Sequence, residues 1–322
     1  MVIPVSVITG FLGSGKTTLL RSVLRDPAYA GSAVIVNEWG DIGLDHELLE
    51  TSEENLLGLA NGCLCCTTRG DLARTLIDLA ARRRSGAITY HRVLIETSGL
   101  ADPAPILHTL LDDPTIAEAH HVEAVVTVVD ALLGAETLVR HPEAMQQAIL
   151  ADRLLLSKTD LTPDTAALEA ELAALNPGAP IFRAVQGAIP PDVLFAGATK
   201  PETLRDWLDT LAEPRARHSG GVETISILRE DPLPGVVLPL FLEALAEHAG
   251  DKLLRMKGII RVAEAPERPA ILHGVRHVLH PIEWLENWPS EDRRSRLVLI
   301  GQGIPQWWPA RLLEALEEEA RG

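Results

Sequence analysis

Aromatic side chains are scarce in this chain, making up 4% of its 322 residues. With Ala and Leu dominant, that scarcity favours helix-rich layers over an all-β sandwich and points to an α/β class. Cysteine is scarcer still: the three present all lie between Cys63 and Cys66, so none has a distant mate for a disulfide framework. Clustered thiols without partners fit a reducing compartment, where they serve metal binding or redox chemistry. Basic residues are outnumbered, 29 against 45 acidic, for a formal charge of −16. Binding to phosphate backbones draws on Lys and Arg, so a nucleic-acid partner is not expected. Arg82-Arg83-Arg84 reads as a solvated helix end, and Glu317-Glu318-Glu319 as the exposed face of a last helix. No segment approaches the roughly 20 apolar residues of a membrane span. Nor does Met1-Val2-Ile3-Pro4-Val5-Ser6 begin a basic-then-apolar leader. A cytoplasmic protein with no membrane partner is the expectation. Internal repeats and low-complexity tracts are also missing.

What the chain does contain is alternation. Short apolar runs at Val2 to Ile8, Ser32 to Asn37, Val93 to Glu96, Val122 to Asp130, Leu154 to Ser157 and Ile181 to Val185 read as strands. Several are apolar at nearly every position, as parallel strands covered on both faces must be. Helical patterns at Thr17 to Leu24, Leu72 to Arg83 and Ala166 to Ala174 lie between them. A mostly parallel sheet flanked by helices follows, with His120-His121 placed in a loop before a strand. The pattern predicts this domain over residues 1–214, a polar, glycine-ended linker over 215–221, and a smaller α+β domain over 222–322. In that second domain Val222 to Leu228, Leu253 to Val262, Ala270 to Leu279 and Arg296 to Ile300 read as strands. Leu238 to Ala249 and Pro309 to Ala320 read as helices.

The first apolar run leads into Gly10-Phe11-Leu12-Gly13-Ser14-Gly15-Lys16-Thr17, the spacing of a phosphate-binding loop between a strand and a helix. Glycines let backbone amides turn toward phosphate oxygens, and the helix start adds its dipole. Gly13, Ser14, Gly15, Lys16, Thr17 and Thr18 are therefore candidate nucleotide ligands. Lys16 is placed to reach the β- and γ-phosphates, and the Thr17 hydroxyl to ligate Mg²⁺.

Two further motifs narrow the chemistry. Val93-Leu94-Ile95-Glu96-Thr97-Ser98-Gly99 is a strand ending in a carboxylate with a glycine three residues on. Glu96 can hold Mg²⁺ directly or through water, and the Gly99 amide can sense a γ-phosphate. Ser157-Lys158-Thr159-Asp160 follows another strand, at the carboxyl edge where such sheets bind ligands. An ionised Asp160 only accepts hydrogen bonds, which suits the N1 and N2 donors of guanine and not adenine. The aliphatic stem of Lys158 can lie over a base. A helix cap is the ordinary role for such an aspartate. Beside the phosphate loop, GTP is favoured over ATP, with Lys16 and Glu96 as catalytic groups.

Gly62 supplies a turn that can gather Cys63, Cys65 and Cys66 around one ion. Soft thiolates suit Zn²⁺ and Cu⁺, with Co²⁺ tolerated, and three protein ligands leave a fourth position open. A redox pair and buried structural cysteines are the competing readings. Adjacent Cys65 and Cys66 would strain a disulfide, however, and the spacing does not reproduce a plain thioredoxin-like motif.

Taken with Val36-Asn37-Glu38-Trp39-Gly40, Lys257-Gly258 and Arg296 to Gly301, these motifs closely resemble the CobW-like metallochaperones. These are P-loop GTPases related to the nickel-insertion GTPases of hydrogenase and urease maturation (the CobW/HypB/UreG family). The resemblance covers most of the chain. It implies a GTPase with slow intrinsic turnover, a Zn²⁺ or Co²⁺ site at Cys63, Cys65 and Cys66, and Glu38 as a further Mg²⁺ contact in a switch region that also holds Asp41 and Asp45. It further implies a metal-requiring client protein, and leaves monomer and homodimer both open. The family's guanine motif usually begins with Asn where this chain has Ser157, a shorter side chain with one proton. The family's frequent His-rich tract is missing. Two rivals are a P-loop small-molecule kinase with a structural metal and a GTP-switched regulator that moves no metal.

Overall fold

The computed structural model describes residues 2–36, 69–162, 164–195, 221–276, 278–279 and 282–321. The chain divides into two compact units, Met1–Glu171 with Ile181–Gly197, and Leu172–Pro180 with Ala198–Gly322.

The first unit is built on six parallel strands, β1 (Ile3–Thr9), β2 (Ser32–Val36), β3 (Arg92–Glu96), β4 (His120–Asp130), β5 (Arg153–Ser157) and β6 (Ile181–Arg183), in the order β2-β3-β1-β4-β5-β6. Parallel pairing requires a crossover between strands, and helices supply most of it: α1 (Lys16–Leu24), α2 (Arg69–Arg84), α3 (Ala104–Asp112), α4 (Pro114–Ala119), α5 (Gly134–Arg140), α6 (Pro142–Leu150) and α7 (Ala166–Leu175), the last of which runs on into the second unit from Leu172; α8 (Pro191–Phe195) follows β6. Ile8, Leu94, Val126, Val128 and Leu155 form one core with Leu19, Leu20 and Val23 of α1 and Leu194 and Phe195 of α8. Thr127, between two of those valines, donates from Oγ1 to the Gln147 carbonyl of α6 at 2.7 Å, so α6 lies on the opposite face. Both faces are thus covered, which is why the strands read as unbroken apolar runs.

Two strand boundaries differ from the sequence reading. His120 and His121 are in β4, paired with Ile3 and Pro4. His120 is buried, its Nε2 lies 3.2 Å from the Tyr90 hydroxyl, and burial pushes its pKa down. Polar side chains hid a strand end whose backbone is needed to complete pairing with β1. Ile181 to Val185 stops as a strand at Arg183, because Gln186 and Gly187 both take positive φ (51° and 73°) and turn the chain back.

The second unit carries β7 (Val222–Arg229), β8 (Leu253–Ile260), β9 (Ala270–Val275), β10 (Val278–Leu279) and β12 (Ser295–Gln302) in the antiparallel order β10-β9-β8-β12-β7. The two-residue β11 (Glu283–Trp284) pairs with β9. α9 (Val237–Ala249) and α10 (Trp308–Arg321) supply Phe241, Leu245 and Leu313 to a core with Ile225, Met256 and Leu297 of the sheet. The single strand expected from Ala270 to Leu279 is a hairpin, in which Val278 pairs with Val275 around Arg276 at φ 54°. No glycine or asparagine marks that reversal. Among the described residues no helix is long and apolar enough to cross a membrane.

Candidate nucleotide site

The phosphate loop leaves the central strand β1 between β3 and β4. Gly10 takes φ 143°, and a Cβ there would lie 2.2 Å from the Val128 carbonyl oxygen of β4, so the loop can hug β4 only without a side chain. Gly15, at φ 98°, begins α1, whose first turn holds no acidic residue and no side-chain cap. Its amides are left for an anion.

Three loop carbonyls are bound by side chains. Lys16 Nζ donates to Phe11 O at 3.2 Å, Lys158 Nζ to Gly13 O at 2.9 Å, and Ser157 Oγ to Ser14 O at 2.6 Å. Tying the carbonyls back in this way turns the opposing amides toward the phosphate position. Lys158 holds a left-handed backbone (φ 57°), and its ammonium also meets Asp130 Oδ2 at 2.7 Å. The other oxygen of Asp130 accepts from the Leu132 and Leu133 amides at 2.8 and 3.3 Å. The Ser157 hydroxyl therefore braces the loop.

Asp160 is exposed, in a turn closed by Leu161 N donating to Lys158 O at 3.0 Å. It caps no helix. Asp164 takes that position, accepting from the Ala166 amide at 3.2 Å at the start of α7. The Asp160 carboxylate stands clear at the sheet's carboxyl edge.

Thr17 Oγ1 donates to Glu96 Oε1 at 2.7 Å, joining the loop to the end of β3. A hydroxyl and a buried carboxylate in contact form the hard-oxygen set that suits Mg²⁺, so these residues fit that ion. Gly99 follows in a turn pressed against the loop: a Cβ on Gly99 would lie 2.7 Å from Leu12 Cα. Glu38, Asp41, Asp45, Cys63, Cys65 and Cys66 lie outside the described residues. Among the described residues no group of three His, Cys, Asp or Glu could hold a metal ion. Val36, the last residue of β2, is in register with Glu96. The described end of β2 thus lies beside the Mg²⁺ candidate.

Sequence reasoning passed over two parts of this edge. The 184–188 turn sits beside the guanine-type motif, with Thr159 Oγ1 donating to Ala184 O at 3.4 Å. A Cβ on Gly187 would lie 3.0 Å from Leu19 Cα of α1, so the turn packs closely on the phosphate-loop helix. A Gln-Gly pair after a short strand was the available signal. The second is Gln147 of α6, which donates from Nε2 to Gly99 O and Ala101 O at 3.2 and 2.9 Å. A glutamine inside a helical pattern gives no sign of what it reaches across a fold.

Residues 4–183 match the model of the CobW/HypB/UreG nucleotide-binding domain, and residues 222–319 that of the cobalamin synthesis protein cobW C-terminal domain. The chain is 32% identical over 308 residues to the zinc chaperone YjiA of Escherichia coli, covering 94% of this chain and 95% of that protein. It is 35% identical over 344 residues to the zinc chaperone CobW of Pseudomonas aeruginosa, covering 94% and 88%. The crystal structure of the Zn(II)-bound YjiA GTPase superposes with a TM-score of 0.72 at 28% identity, covering 98% of this chain and 99% of that one.

Proposed function

The chain belongs to the CobW/HypB/UreG family of GTPases, and on that premise we propose that it is a GTP-dependent metallochaperone whose cargo is Zn²⁺. Co²⁺ is another ion that a set of three thiolates would accept. The observation that carries the reading is the register of Val36 with Glu96. Val36 is the last described residue before Glu38, and it ends beside the strand end where Thr17 and Glu96 meet.

Hydrolysis of GTP adds water to the γ-phosphorus and breaks its bond to the bridging oxygen, giving GDP and phosphate. Little covalent chemistry falls to the protein, whose work is positioning and charge stabilisation. Gly13 to Thr18 present amides to the phosphates, and Lys16 brings an ammonium to the β- and γ-oxygens. Thr17 and Glu96, with Glu38, would hold Mg²⁺, which when bound neutralises charge on the phosphates. Asp160 accepts from guanine N1 and N2, and Lys158 keeps the loop in shape. The Gly99 amide meets the γ-phosphate, so the turn differs between GTP and GDP states. That difference passes along the β2–β3 edge to the thiolate segment and alters its hold on metal, which is released to a metal-requiring client.

A competition titration of Zn²⁺ against a chromophoric chelator tests this, with protein loaded with GDP or a non-hydrolysable GTP analogue. An affinity difference of about tenfold or more is expected, the low end of typical site-to-site coupling. Equal affinities would sink the coupling.

A further inference from the structure

Gln147 is fully buried in α6, outside every sequence motif of the nucleotide site. Its amide nitrogen holds two successive carbonyls of the turn after β3, Gly99 O at 3.2 Å and Ala101 O at 2.9 Å. Its own backbone carbonyl is pinned by Thr127 of β4. Thus the anchor is fixed to the sheet and grips the turn from behind. On the turn's other side lies the phosphate loop, close enough that Gly99 tolerates no side chain against Leu12. The turn is held between α6 and the loop.

Gln147 does more than fill a gap. A cavity of about 140 Å³ opens between α6 and the phosphate loop, lined by Phe11, Ser14, Asp130, Thr137 and Gln147 among others. Two buried oxygens beside it, Gln147 Oε1 and Ser14 Oγ, have no hydrogen-bond partner among the described residues. Buried polar atoms without partners are rare. One carboxamide therefore has its nitrogen committed to the turn after Glu96, while its oxygen, like Ser14 Oγ of the phosphate loop, is without a partner among the described residues.

We propose that Gln147 is a positioning residue of the GTPase reaction, setting the Gly99 turn at the height from which its amide meets the γ-phosphate. The proposal rests on the reading of Gly99 as the γ-phosphate contact. Because GDP lacks the γ-phosphate, loss of this grip should spare GDP binding and weaken only what depends on that group. A merely structural glutamine would affect both nucleotides alike.

The test measures kcat, KM, and the affinities for GDP and a non-hydrolysable GTP analogue in the full chain. Gln147→Met keeps the length and removes both donors. It should leave GDP affinity within about twofold while kcat falls about ten- to hundredfold, the range produced by misplacing a reacting group by about an ångström. Gln147→Glu keeps the shape and carries the test should the first variant fail to fold. Burial raises the pKa of such a carboxyl, and its protonated form regains one donor, so the ratio of its kcat to wild type should climb as pH falls. An unchanged kcat, an equal loss of GDP and analogue affinity, or a flat pH ratio would overturn the proposal. The Gly99 amide resonance of the wild-type protein separates the two levels. If it shifts between the GDP and analogue complexes and the Gln147 variants keep kcat, the site reading stands and the role of Gln147 falls; if it does not shift, both fall.

Discussion

Replacing Ser157 with alanine removes the brace on the phosphate loop and nothing else. The Ser157 hydroxyl has one proton, and the 2.6 Å approach to Ser14 O takes precedence over Val129 O at 3.3 Å. Both serines are buried, 7% and 2% exposed, so water cannot replace the lost donor while the loop stays in place. Leaving a buried carbonyl without its donor costs about 1–3 kcal/mol. With no nucleotide bound, the loop relaxes to find water and recovers part of that cost. Binding must then restore the shape, and a penalty of about 1.4 kcal/mol weakens GDP tenfold. What is not recovered appears as instability, about 2–4 °C of melting temperature per kcal/mol for a unit of this size. Fluorescent-GDP titration and thermal melts of the nucleotide-free protein read the two parts. If Ser157→Ala binds GDP within twofold of wild type and melts at the same temperature, the hydroxyl carries no brace. Ser157→Asn should keep the bond through its amide and add a base contact, raising GTP affinity a few-fold.

Lys16→Ala deletes a charged donor to phosphate, so GTP and GDP should each bind about ten- to hundredfold more weakly by calorimetry. Asp160→Asn exchanges an acceptor for a mixed donor and acceptor; competition binding should show guanosine nucleotides losing at least about tenfold and xanthosine nucleotides gaining. Cys65→Ser should leave GTP affinity intact and abolish tight Zn²⁺ binding in the chelator assay; loss of GTP binding instead would mark the metal as structural. In the second unit, the Arg294 side chain foremost, then the Arg294 amide and Arg296, hold the Asp292 carboxyl down to about 2 despite partial burial. That stabilisation is complete above the unfolded carboxylate value near pH 4 and is lost as pH falls from about 4 to about 2. Asp292→Asn should therefore lower the urea midpoint of this unit at pH 7, with the gap to wild type closing near pH 2.

Features set by local chain chemistry could be read directly from sequence. The parallel strands announced themselves because burial on both faces demands unbroken apolar runs. The phosphate loop did so because glycine spacing encodes backbone conformation. Where a side chain goes once it crosses the fold was not legible. Ser157 stands where the family's guanine motif has Asn, and nothing in the motif says that its hydroxyl turns inward to Ser14 across 143 residues of sequence. Gln147 looks like any polar helix residue until α6 packs on the sheet and delivers its amide to Gly99. The Arg276 reversal was invisible for a different reason: the tight pairing of Val275 with Val278 forces a left-handed backbone on a residue with no local preference for it.

The tie between Lys158 and Gly13 spans 145 positions, as long a reach as the Ser157 brace. The loop's shape is therefore a late event in the life of the chain. A ribosome that has released β1 through β4 has exposed every glycine of the loop but none of the residues that tie back its Gly13 and Ser14 carbonyls. Capacity for nucleotide should switch on only once β5 and the Lys158 that follows it have emerged. GTP then acts as a selective ligand for finished domains and is blind to nascent ones.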